Sequence, residues 1–289
     1  MKRKFYNKID AMEEQEKKEK ILEQEKRLKE NLSKIRYKLL VISGKGGVGK
    51  TTIAVNLAYG LAIKGYKVGI LDVDIHGPNI AKMLGIEDER LGGSDLGIEP
   101  IKVLPNLRAI SLALVGFTQD QPVIWRGPLK MVTIRQLLSD ANWGKLDYLI
   151  VDSPPGTGDE PLSVCQLIPD LNGTIVVTTP QDVAILDSRK SALFAKELKV
   201  PMLGIIENMS GFICPHCGKE IDLFGIGGGE KAASDLKVPF LGRIPVEPEL
   251  VELSDTGKPF VYFKKDTEIA KVMDGIINKI IANLDSNGT

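Results

Sequence analysis

This 289-residue chain has few side chains that could hold a soft metal: three cysteines, Cys165, Cys214 and Cys217, and two histidines, His76 and His216. An odd cysteine count with a single CxxC pair is no disulfide framework; in a reducing compartment such a pair points to metal or redox chemistry. Neither sign of charge is in excess, with 38 Lys and Arg against 38 Asp and Glu. That balance argues against a broadly basic nucleic-acid binder, and no nucleic-acid partner is expected. No apolar run reaches the roughly 20 residues that a bilayer-spanning helix needs, so no membrane partner is expected either. The opening MKRKFYNKIDAMEEQEKKEK carries positive charge with no apolar stretch behind it, which does not read as a secretory signal. The expected location is the cytoplasm.

Residues 1–36 also lack glycine, proline and cysteine and are dense in Lys, Glu and Gln. Ile21, Leu28, Leu32 and Ile35 fall at roughly helical spacing, so this segment is expected to be a charged helix with a thin apolar stripe. The stripe is too short to separate a brief coiled coil from a loose charged extension. The texture changes beyond it, and residues 37–289 are expected to form one domain. Short apolar runs at 38–43, 66–74, 146–152, 173–179 and 201–208 read as buried strands. Helical patterns lie between them near 51–65, 128–140, 160–168, 183–198 and 228–236, with a closing helix over 266–285. This alternation predicts βαβ units: an α/β fold with a mostly parallel sheet and helices on both faces. Residues 98–114 show no helical period and are expected to add a pair of strands.

The first strand runs into Gly44-Lys45-Gly46-Gly47-Val48-Gly49-Lys50-Thr51, which fits GxxxxGK[ST] between a strand and a helix. Glycines there let backbone N–H groups wrap a phosphate chain. Lys50 reaches the β/γ-phosphates, Thr51 offers its hydroxyl to Mg²⁺, and the helix N-terminus favours the anion. Two apolar strands end in acid: ILDVDIHGPN places Asp72 and Asp74 at one strand end, and DYLIVDSPPGTGDE places Asp152 at another. The C-terminal ends of parallel strands are where ligands bind in open α/β sheets. From the residues alone, Asp72 and Asp74 serve either the nucleotide or the N-terminus of the next helix. His76 beside them lines the site or has a structural role.

The loop GKGGVGKT, with its additional Lys45, resembles the deviant Walker loop of the SIMIBI ATPases, which include MinD and ParA proteins, the nitrogenase iron protein and the Mrp/ApbC carriers. The resemblance implies a P-loop ATPase that binds and hydrolyses ATP with Mg²⁺ as a homodimer. In it Lys45 reaches the partner's nucleotide, Asp74 orients or deprotonates the attacking water, and Asp72 supports Lys50 or the metal shell. Asp152 takes the Walker B role toward Mg²⁺, and the Gly156 N–H meets the γ-phosphate. It also implies that Thr52 belongs to the nucleotide site and that Asn208, Pro245 and Glu247 lie near the adenine; the family often has Asp where Glu247 stands.

The segment ENMSGFICPHCGKEIDLFGIGGGEKAA, residues 207–233, resembles the Mrp/ApbC family of iron–sulfur cluster carriers, in which an NMS segment, a CxxC and FGxGGG follow in this order. The resemblance covers residues 38–285. It implies that Cys214 and Cys217 of two chains meet at a two-fold axis and together supply the Cys₄ set of a labile [4Fe–4S] cluster, destined for apo iron–sulfur proteins. Residues 1–36 lack the extra cysteine cluster of eukaryotic members, so the chain resembles the simpler archaeal and bacterial ones. CPHCGKEI also reads as one knuckle of a zinc ribbon, so a zinc-bridged dimer or a chaperone for another metal stays open. A MinD/ParA-type positioning ATPase is a further alternative, though it leaves CPHC unexplained. His216 reads as a spacer, and Cys165, in the apolar stretch PLSVCQLI, as a small core residue.

Overall fold

The computed structural model describes residues 2–74, 77–94, 97–114, 127–156, 159–168, 170–214 and 216–287. Helix α1 covers Lys2–Ser33 and leads into strand β1, Ile35–Ser43. Helix α2 (Lys50–Ile63), β2 (Val68–Asp72) and α3 (Ile80–Met83) follow, then the small strands β3 (Gly92–Ser94) and β4 (Gly97–Glu99). Strands β5 (Ile101–Leu104) and β6 (Leu107–Ser111) precede α4 (Gly127–Ser139), β7 (Leu146–Asp152), α5 (Asp159–Leu167) and β8 (Gly173–Thr178). The second half runs α6 (Asp182–Glu197), β9 (Met202–Glu207), β10 (Phe212–Ile213), β11 (Glu220–Ile221), α7 (Gly228–Leu236) and β12 (Phe240–Arg243). It closes with α8 (Glu249–Asp255), α9 (Phe260–Phe263) and α10 (Glu268–Asn287).

One eight-stranded sheet, in the order β12-β9-β8-β1-β7-β2-β6-β5, carries the fold. Every neighbouring pair is parallel except β5 and β6, the extra pair expected over 98–114, which form an antiparallel hairpin at the edge. The sequence pattern explains this. Central strands such as KLLVIS and LDYLIVD are apolar on both sides because both faces are covered. Alternate residues point to opposite faces: Leu39, Val41, Ile70, Ile150 and Val177 pack with α2 and α10, whereas Leu40, Ile42, Leu71, Val151 and Val176 pack in the layer that holds α4, α5 and α7.

Two helices show where apolar stripes are used up. Along α10, Ile269, Met273, Ile276, Ile277, Ile280 and Leu284 are all buried in the first layer, so the apolar face of the closing helix is covered by its own domain. On α1, Leu28 and Leu32 are buried with Ile35 in the second layer, beside Ile134, Leu137 and Leu138 of α4, while Ile21 and Leu22 are exposed. Asn31 reinforces the junction by donating to the carbonyls of Ser139 and Ala141. Strand β1 begins at Ile35, so the end of the charged segment is continuous with the central strand. Among the described residues no helix is long and apolar enough to cross a membrane.

Candidate functional site

The parallel strands converge at their C-terminal ends, and three of them end in a fully buried acid: Asp72 on β2, Asp152 on β7 and Glu207 on β9. Register places Asp152 beside Val41 of β1 on one side and beside Asp72 on the other. The phosphate-binding loop leaves β1 between β7 and β8 and enters α2 at Lys50.

Within the loop, Gly49 has φ +83°, and a Cβ there would come 2.2 Å from the Asn208 side-chain nitrogen. A side chain would be strained by the backbone and would collide with Asn208. Lys50, itself buried, holds Asp152 Oδ1 at 2.5 Å. Thr51 Oγ1 donates to the other carboxylate oxygen at 2.7 Å. Ser153 and Gly156 return to β1: the Ser153 N–H donates to Val41 O, and the Gly156 N–H donates to Ser43 O at 2.7 Å. The structure therefore brings together Lys50, Thr51, Asp152 and Gly156 around the loop, as a Walker site needs.

Asp72 feels the Lys50 charge and also braces the element that follows its own strand. Its carboxylate accepts from Ser111 Oγ at 2.9 Å, from the Ile80 N–H at 3.3 Å and from the Asp74 N–H at 3.1 Å. It thus organises the turn into α3, while Lys50 pairs with Asp152. Burial, with the Asp152 charge next to it, pushes the Asp72 carboxyl up to about 8. Burial raises Asp152 as well, against the opposing pull of Lys50 and the hydrogen bonds from Lys50 and Thr51. Two buried acids side by side favour positive charge between them. Asp74, also buried, accepts from the Gly77 N–H at 3.3 Å. His76, Thr157 and Gly158 lie outside the described residues.

Lys45 reaches Gln181 Oε1 at 3.4 Å at the surface. Asn208 is buried; its side chain donates to Val48 O at 2.9 Å and its backbone N–H to Thr178 O at 2.7 Å, which pins the end of β9 to the phosphate loop. The segment with Pro245 and Glu247 runs alongside: Ile244 N donates to Glu207 O, and Val246 N to Gly211 O. Thr52 is the third residue of α2, half-buried, facing Met83 Sδ at 4.0 Å.

The CxxC lies on the β10–β11 hairpin at the same end of the sheet. Cys214 N donates to Lys219 O and Gly218 N to Cys214 O, both at 2.9 Å, which makes a tight knuckle. Backbone N–H groups of Cys217 and His216, with the Cys217 side chain, lower the Cys214 thiol pKa, which favours the thiolate that ligates metal. Cys217 is exposed and Cys214 half-buried; Pro215 lies outside the described residues. Among the described residues, no group of three or more His, Cys, Asp or Glu could hold a metal ion. Cys165 is no third ligand: it sits on α5 beside the second apolar layer, and burial pushes its thiol up to about 11. Around the knuckle, Ile213, Ile221, Leu223, Phe224 and Ile226 are exposed, a local concentration of apolar surface.

Two residues were missed by sequence reasoning. Ser111 supports Asp72 from the edge hairpin, and no local signal marks it. Glu207 carries the same signal as Asp72 and Asp152, an apolar strand ending in acid, and could have been found by it.

Comparison with known proteins agrees with this geometry. The profile described as ParA, NUBPL iron-transfer P-loop NTPase, matches residues 34–281. An iron-sulfur cluster carrier protein of Methanocaldococcus jannaschii is 51% identical over 262 residues, covering 90% of each chain. One of Saccharolobus solfataricus is 44% identical, covering 89% of this chain and 86% of its own. Among solved structures, a nucleotide-binding protein of Archaeoglobus fulgidus in complex with ADP, with Co found in it, is 39% identical with a TM-score of 0.72, over 81% of this chain and 92% of that one. The cell-division ATPase MinD of Pyrococcus furiosus shares the fold at 24% identity and a TM-score of 0.61, over 85% of this chain and 98% of its own.

Proposed function

We propose a function from a plain premise: this chain belongs to the iron-transfer P-loop NTPase family, whose matching relatives are named iron–sulfur cluster carriers. Our reading is that it binds and hydrolyses ATP with Mg²⁺, dimerises, holds a labile [4Fe–4S] cluster between two copies and passes it to apo-proteins in the cytoplasm. The observation that carries this is the half-site. Cys214 and Cys217 form a preorganised knuckle with no third ligand among the described residues, set in exposed apolar surface at the nucleotide end of the sheet. Two such knuckles on a two-fold axis make Cys₄, enough for one bridging cluster, and the apolar rim gives the two copies something to bury.

Thr51 and Asp152 fit Mg²⁺. Their hard oxygens meet at 2.7 Å in a buried corner, and the raised carboxyl there is relieved by a cation. The ion would draw charge from the β- and γ-phosphates. Lys50 and the loop N–H groups would hold those phosphates, and Asp74 would orient the attacking water. Asn208, Pro245 and Glu247 would border the adenine, and Thr52 the phosphates. Lys45, half-buried, would serve a partner's nucleotide.

A second reading has its own support. A CxxC knuckle on a short hairpin also suits Zn²⁺. A metal-bridged dimer with zinc or another metal would use the same cysteines. The MinD/ParA positioning role is less well supported, since the apolar face of α10 is already covered.

Anaerobic reconstitution with iron and sulfide, followed by sizing and metal counting, separates these readings. About four irons and four sulfides per dimer, absent in Cys214→Ser and Cys217→Ser variants that still bind ATP, is the expected result. One zinc and no sulfide per dimer would transfer the function to the second reading.

A further inference from the structure

The segment from Asn208 to Gly227 carries the whole CxxC hairpin, and both ends of that excursion are tied to one side chain. Glu207 is fully buried at the end of β9. At the near end it accepts from Ser210 Oγ. At the far end Oε1 accepts from the Gly227 N–H at 2.9 Å and Oε2 from the Gly229 N–H. These are the first N–H groups of α7, a helix with no cap from its own N-cap residue, Gly227. A carboxylate there satisfies orphan donors and suits the positive end of the helix. Gly229 suits the close approach, since a Cβ would lie 3.0 Å from the carboxylate oxygen and from Glu207 Cβ. Arg243 of β12 completes the enclosure, its Nε 3.2 Å from Oε1 as an ion pair without hydrogen-bond alignment, while its Nη2 donates to Glu230 on α7.

The next residue, Asn208, donates to Val48 O inside the phosphate loop. One dipeptide thus touches both functional centres. Asn208 holds the loop that takes the nucleotide, and Glu207 holds the two feet of the hairpin that takes the metal. We infer that Glu207 is the positioning residue that transmits nucleotide occupancy from the phosphate loop to the CxxC hairpin. The inference rests on the proposed use of both centres but not on which metal the cysteines hold. A shift of Val48 on nucleotide binding moves Asn208, and through the adjoining Glu207 carboxylate it reaches Ser210 and the α7 N-terminus together, so the hairpin moves as a unit. Without the clasp, the two feet are independent and the hairpin no longer follows the loop.

The test uses metal-free full-length protein carrying Cys165→Ala, so that only Cys214 and Cys217 report. The rate of thiol labelling is measured with and without Mg-ADP or a non-hydrolysable Mg-ATP analogue, and nucleotide affinity is measured in parallel. The expected result is a rate change of about fivefold or more on nucleotide binding. That change should collapse toward one in Glu207→Gln, while nucleotide affinity stays within about threefold, well below a typical coupling factor. Glu207→Asp, which keeps the charge, should recover part of it. A Glu207→Gln protein with the full nucleotide response overturns the inference, as does a parent protein with no response at all. If Glu207→Gln does not fold, Ser210→Ala, which removes one donor and leaves the carboxylate, decides in the same two ways. Failure to assemble any cluster would sink the carrier reading and leave this labelling result standing by itself.

Discussion

At the scale of single residues, the site is governed by buried charge. Asp72 and Asp152 are register neighbours, both fully buried, and Lys50 offsets them. Between the ordinary Asp value and about 8, folded Asp72 keeps a proton that the unfolded chain has released. Its contribution to stability is therefore complete at acid pH and is lost as pH rises toward about 8. Thermal melts of the nucleotide-free protein from pH 5.5 to 8.5 should show a falling Tm, and Asp72→Asn should flatten that slope. An unchanged slope would mean that Asp72 is ionised throughout. Lys45 is the opposite case, half-buried with its ammonium reaching a neutral partner, Gln181. Lys45→Ala is expected to abolish ATP hydrolysis while nucleotide affinity stays within about threefold, too small a change for the loss of a phosphate contact. Loss of binding itself would place Lys45 in its own chain's site.

At the scale of elements, the helix α1 divides into two parts with different physics. Leu28 and Leu32 are buried against α4, so Leu32→Ala removes packed methyl groups and is expected to cost about 2–4 kcal/mol in urea unfolding. Ile21 is exposed, and Ile21→Ala should change stability by less than about 0.5 kcal/mol. Equal effects at the two positions would refute the division. The spacing of Ile21, Leu28, Leu32 and Ile35 was legible as a stripe. Which part of it is covered was not, because the covering residues Ile134, Leu137 and Leu138 lie about a hundred positions later in the chain.

At the scale of the whole molecule, the proposed function splits the chemistry between copies. Among the described residues no third His, Cys, Asp or Glu joins Cys214 and Cys217, and the Lys45 side chain reaches Gln181. If Lys45 serves the partner's nucleotide, two inactive proteins should complement each other. Lys45→Ala retains a binding loop and lacks the lysine, whereas Lys50→Ala has a damaged loop and a good lysine. Mixed under conditions that exchange subunits, they should recover ATP hydrolysis at one site per mixed dimer. No recovery, with mixed dimers demonstrated by mass, would place both lysines in the same site.

The sequence by itself determined the α/β alternation, the phosphate loop, the paired acids at strand ends and the CxxC. Each depends on residues close together in the chain, where period, glycine content and spacing carry the physics. Only the tertiary structure decided that Asp72 supports α3 while Lys50 pairs with Asp152, that the apolar face of α10 is covered, and that Glu207 clasps both feet of the CxxC hairpin. Those outcomes depend on which strands become neighbours. Strand order sets which buried carboxylates share a register, and burial then decides which partner each one must take, so nothing local could reveal them.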